Sequence, residues 1–230
     1  MLSAKVVAAV IIEIFYALFT RTWLRQYAQG IELELLISAF RVVTIIAYWF
    51  MFRSLILNRR TNTETLRHPF VLIAMAAALA IPFLFRGWSP GGGIGTAIVY
   101  VLTSILVGIR EELLYRGVLF NLLEPRAGTI ITVILSTVIF SAYHLGAVPL
   151  FPQVFAEIAI LSVVLGLIYS RSRSLLAVMA LHAAYDAIWF LGPYLSSPLS
   201  DIWRLAFLLT ALLFAILWMK NNQSGDQVKN

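Results

Sequence analysis

Cysteine is absent from the 230 residues, which excludes a disulfide scaffold, a thiolate zinc site and a cysteine nucleophile. Histidine occurs three times, too seldom for a histidine-rich metal cage. Charge is scarce as well: Asp, Glu, Lys and Arg make up 12% of the chain against 61% apolar residues, and the mean hydropathy is +0.89. So few charges do not cover a water-soluble surface. The 17 Lys and Arg against 11 Asp and Glu leave a net charge of +6, but the basic residues punctuate apolar runs instead of clustering on a polar face. No nucleic-acid motif accompanies them. The composition is that of a polytopic membrane protein.

A membrane span needs roughly 20 mostly apolar residues, and about eight stretches qualify, with cores near 4–20, 34–52, 69–85, 94–115, 129–145, 154–170, 174–192 and 202–219. They are too long and too uniformly apolar for barrel strands, so the expected fold is an all-α helical bundle in a single domain over 1–219. A polar tail occupies 220–230. The first run is a poor secretory signal, because Glu13 interrupts its centre and no small-x-small site follows. If the N-terminus is cytoplasmic, ten Lys and Arg fall on the cytoplasmic side and four on the other, namely Arg21, Arg25, Arg86 and Arg204. That bias predicts both termini in the cytoplasm, and the compact loops suggest a prokaryotic cytoplasmic membrane. No internal repeat supports an inverted-repeat transporter.

Ionisable side chains at membrane depth cost several kcal/mol, roughly 2.5 or more even on lenient scales, and need a partner, a wet cavity or a function. Three places concentrate them. Arg110, Glu111, Glu112 and Arg116 lie within seven residues of the fourth run. At about 100° per residue, Arg116 stands close to Glu112 around the helix and far from Glu111. Glu112 and Arg116 therefore pair, and Glu111 is the carboxylate left free to act as a general base. An interfacial ion-pair cluster is the plainer alternative. His144 ends the fifth run, four residues after Phe140. His182 and Asp186 sit in the seventh, spaced i,i+4 on one face. By helical rise, convergence of Glu111, His144 and His182 requires tilts or boundary shifts to absorb roughly 10 Å. Glu13, Arg41 and Glu157 lack an ionisable neighbour on their own helices and read as structural.

Glu111-Glu112-x-x-x-Arg116, then Phe140-x-x-x-His144, then His182-x-x-x-Asp186, in this order on successive apolar runs, resembles the CPBP family of intramembrane proteases. That family includes type II CAAX prenyl endopeptidases and bacteriocin self-immunity proteins, and the resemblance covers about residues 94–192. It implies an intramembrane endopeptidase acting on a membrane-associated protein or peptide within the lipid bilayer. By the same resemblance Glu111 activates water, Glu112 and Arg116 accompany it, and His144 and His182 are the site histidines. His182, oriented by Asp186, would steady the oxyanion or protonate the leaving amine. Prenyl endopeptidases typically carry asparagine where Asp186 stands, which favours a broader bacterial branch. The family is described both as zinc-dependent and as glutamic. No cofactor is expected here, and Glu111, His144 and His182 would be the ligands if zinc took part. Two other classes stay open: a proton-coupled transporter that uses these groups as a relay, and a non-catalytic immunity or scaffold protein.

Overall fold

In the computed structural model the described residues are 2–58, 61, 93–145, 152–191, 209, 210, 213 and 216. Helix α1 (Leu2–Leu18) continues into a π-helical turn at Phe19–Trp23 and a 3-10 turn at Leu24–Gln26. Helix α2 spans Gly30–Leu57 and α3 spans Gly93–Glu112, which runs on through a π-helical stretch, Leu113–Phe120, into α4, Asn121–Ala127. Helices α5 (Thr129–Tyr143), α6 (Pro152–Ser172) and α7 (Leu175–Leu191) follow. No strand occurs among the described residues.

Helices longer than the sequence cores arise where flanking residues add turns. The segments Ala4–Gln26, Gly30–Leu57, Gly93–Ala127 and Val154–Ser172 are long and apolar enough to cross a membrane, and Thr129–Tyr143 and Leu175–Ala187 are shorter apolar helices. The expected spans at 69–85 and most of 202–219 lie outside the described residues, as do the loop at 146–151 and the tail. Between α4 and α5 the chain reverses at Gly128, whose φ of 75° suits a residue without a Cβ.

Packing follows an inside-out pattern. On α5 the stripe Ile130, Ile134 and Val138 is exposed, while Thr132, Ser136 and Thr137 are buried on the other face. A water-soluble helix would do the reverse; this one faces hydrocarbon outward and polar groups inward. Two apolar cores brace the polar centre. One joins Phe120, Val133, Val164, Leu165, Val178 and Leu181 from the α3–α4 segment and α5 to α7. The other joins Ala9, Tyr48, Phe52, Leu113 and Val118.

The most extensive helix pairing is α3 with α7, and Gly108 is the reason they come so close. A Cβ placed on Gly108 would lie 2.8 Å from both the Ala183 backbone nitrogen and the Met179 carbonyl oxygen. Small residues let helix backbones touch where lipid supplies no hydrophobic drive between helices. This contact sets Glu111, about one turn further along α3, opposite His182 on α7.

Candidate active site

The last turn of α3 carries three charged residues side by side, and all three are buried: Arg110 at 2% exposure, Glu111 at 7% and Glu112 at 0%. Their side chains leave the helix in different directions. Glu112 points into the bundle, where its Oε1 accepts from Arg116 Nη1 at 2.9 Å and stands 2.8 Å from His182 Nδ1. The i,i+4 pairing expected of Glu112 and Arg116 is present.

Arg116, fully buried in the π-helical stretch, also donates through Nη2 to the Ser162 carbonyl at 2.6 Å and to Ser162 Oγ at 3.0 Å. Ser162 Oγ in turn meets Thr137 Oγ1 at 3.2 Å. One guanidinium thus ties α6 and, through Thr137, α5 to the segment that bears the glutamates. Such charge-assisted bonds are roughly twice as strong as neutral ones.

Each imidazole is held by its Nδ1 and presents its Nε2. His144, the residue capping α5, has Nδ1 2.8 Å from the Phe140 carbonyl oxygen, which only accepts, so Nδ1 carries the proton. His182 Nδ1 faces the Glu112 carboxylate in the same manner. The two Nε2 atoms then converge on Glu111: His144 Nε2 and His182 Nε2 each lie 3.9 Å from Glu111 Oε2. That oxygen is buried and has no hydrogen-bond partner. Phe140 spaces the group, its ring centroid 4.6 Å from that of His144 and 6.0 Å from that of His182.

Asp186 Oδ2 stands 3.7 Å from His182 Nε2, beyond hydrogen-bond reach. Asp186 thus faces His182 at ion-pair distance on its own helix, and the hydrogen bond of the ring is made with Glu112, which holds the opposite nitrogen. Asp186 lies beside Nε2 on the more open side of the cluster, with a side-chain exposure of 19% against 4% for His182.

A tetrahedral zinc with bonds of about 2.0–2.2 Å holds its ligand atoms roughly 3.3–3.6 Å apart. The 3.9 Å gaps from Glu111 Oε2 to the two imidazoles are wider, and among the described residues no three acidic or histidine side chains gather tightly enough for a metal ion. A water about 2.8 Å from two such atoms bridges a 3.9 Å gap at nearly a right angle. The gaps accommodate a bridging water and exceed a zinc-bound set by about 0.3 Å.

A second polar cluster lies behind the first. Arg110 donates through Nη2 to Glu13 Oε1, through Nε to Thr44 Oγ1 at 3.1 Å and through Nη1 to Tyr143 Oη at 3.4 Å. Tyr48 Oη donates to the same Glu13 oxygen. Glu13 pairs between helices with Arg110, whereas Arg41 pairs at 3.6 Å with Glu34 on its own helix α2, two turns away, so the reading that Arg41 lacks an ionisable neighbour there is corrected. Ser162, Thr137 and Thr44 went unmarked in the sequence, since an isolated hydroxyl in an apolar run carries no spacing signal.

Residues 93–188 match the model of a family described as type II CAAX prenyl endopeptidase Rce1-like. This segment is similar to CPBP-family intramembrane proteases, and the match supports that family for the chain. The six residues Glu111, Glu112, Arg116, His144, His182 and Asp186 fall inside the matched segment, and the match supports, at the level of the family, an intramembrane endopeptidase of CAAX type. Helices α1 and α2 lie outside the match. No curated protein and no solved structure matches the chain.

Proposed function

We propose that this protein hydrolyses a peptide bond in a membrane-associated protein or peptide by a glutamate-activated water, without a metal. What carries the reading is Glu111 Oε2, a buried carboxylate oxygen without a partner, faced by the Nε2 atoms of two imidazoles whose Nδ1 atoms are already engaged. A water between Glu111 and His144 loses a proton to Glu111 Oε2, and its oxygen bonds to the scissile carbonyl carbon. The carbonyl oxygen becomes an oxyanion, which accepts from Nε2–H of protonated His182. The C–N bond then breaks, the proton held by Glu111 passes to the leaving nitrogen, and a carboxylate and an amine are released. Glu112 keeps His182 in register throughout.

Asp186, standing where prenyl endopeptidases carry asparagine, directs the reading to substrates without a prenyl requirement. The ten-to-four distribution of basic residues supports cytoplasmic termini in a prokaryotic cytoplasmic membrane.

The test is a comparison of membrane peptides released in cells producing the native chain or Glu111→Gln at matched protein levels. We expect a set of peptides that disappears in the variant and persists when isolated membranes are treated with a zinc chelator. Equal release by Glu111→Gln would end the proposal, and loss of release with the chelator would end its metal-independent form.

A further inference from the structure

Helix α1 precedes the matched segment, yet two of its side chains and one from its π-helical end reach the residues next to the proposed nucleophile-activating group. Glu13 accepts from Arg110, the residue before Glu111. Tyr16, one turn on, stacks its ring under the Arg110 guanidinium at 3.8 Å. Arg21 donates through Nη1 to the Leu145 carbonyl at 3.1 Å and lies 4.5 Å over the ring of Tyr143. Tyr143 is therefore held from two sides, by Arg21 and by the Arg110 bond to its hydroxyl at 3.4 Å. Its ring meets His144 edge-on, with centroids 5.8 Å apart.

Helical geometry explains why one element does all this. Glu13 and Tyr16 share a face at i,i+3. Regular α-helix would carry Arg21 roughly 80° away from Glu13, but the switch to π-helix at Phe19–Trp23 changes the turn per residue just before the arginine. Single π-helical turns of this kind are frequent at functional sites. The cation then sits at the carbonyl end of α5, where a basic side chain suits the helix dipole and bonds the last carbonyls.

We propose that α1 is a working wall of the active site, with Glu13 acting through Arg110 and Arg21 acting through the α5 terminus as positioning residues that hold His144 against Glu111. The inference deepens the protease reading and rests on it for the meaning of His144. His182 provides an internal control, because Glu112 and Arg116 hold it from the opposite side without help from α1.

The test uses the full chain in lipid nanodiscs with 15N-labelled histidine, whose three side chains (His68, His144 and His182) are separable by substituting each in turn. Arg21→Gln and Glu13→Gln should shift the His144 ring-nitrogen resonances and leave those of His182 in place, with Arg21→Lys restoring the native position. Peptide release in cells should fall roughly tenfold to a hundredfold for Arg21→Gln, the scale expected of an ångström-sized misplacement. Unmoved His144 resonances, or equal movement of His182, overturn the proposal. Should Glu13→Gln fail to fold, the partly exposed Arg21 still decides. If Glu111→Gln releases the same peptides as the native chain, the protease reading fails by itself, while the resonances continue to judge the hold of α1 on His144.

Discussion

Adjacent glutamates on one turn of helix differ in what holds them. Glu112 is anchored through Oε1 by Arg116 and His182, its Oε2 being unpaired, whereas the unpaired Oε2 of Glu111 faces the Nε2 atoms of two imidazoles. Removing one member of a buried ion pair leaves the other uncompensated, so Glu112→Ala should cost about 3–5 kcal/mol of stability. Glu111→Gln removes no hydrogen bond from Oε2, and its stability should change by less than about 1 kcal/mol, or rise, while hydrolysis is lost. Denaturant unfolding in a mild detergent checks both; a large loss for Glu111→Gln would mean that its carboxylate is structural. Spacing made the Glu112–Arg116 pair legible, because both partners lie on one helix. The hold of Glu112 on His182 was not legible, because the partners are separated by 70 positions and only the fold brings them together. The contact of Asp186 with His182 was legible for the complementary reason: the two stand i,i+4 on one helix, and the Asp186 oxygen lies 3.7 Å from the other ring nitrogen.

Among the elements, α3 and α7 are the pair on which the site depends. Their crossing at Gly108 leaves no room for a methyl group, since the added carbon would lie 2.8 Å from backbone atoms that have no flexible end to move. Gly108→Ala should therefore push the helices apart, at a cost of about 1–3 kcal/mol from overpacking, and separate Glu111 from His182. Peptide release should fall further than the loss of folded protein explains, which quantitative immunoblotting beside the peptide assay will show. Helix existence and approximate limits were legible from length and apolarity alone: the runs at 34–52, 129–145 and 154–170 correspond to Gly30–Leu57, Thr129–Tyr143 and Pro152–Ser172. The π-helical stretch Leu113–Phe120 was not, since no residue pattern distinguishes it from the α-helix on either side. It packs more residues into each turn, one way in which the depths of Glu111 and His144 are reconciled.

For the whole molecule, the absence of cysteine makes topology open to direct measurement. With both termini in the cytoplasm, a cysteine at Arg25 should react with a membrane-impermeant maleimide on intact cells, and one at Arg53 only after permeabilisation. The reverse pattern would invert the orientation and move the open side of the site to the other face of the membrane. The inside-out packing was legible as a class from composition, while the identity of the buried polar residues was not. Apolar positions on α5 alternate between lipid and core without any difference in residue type, as Ile134, exposed, and Val133, buried, illustrate.

Backbone contact at Gly108 also limits how the bundle can open. Two helices that touch without intervening side chains cannot shear past each other, because sliding would drive the neighbouring side chains of one into the main chain of the other. Rotation about the contact is the motion left, with Gly108 as its pivot. A pivot one turn from Glu111 moves that residue little when the distant ends of α3 and α7 swing, so the carboxylate and the His182 ring keep their separation.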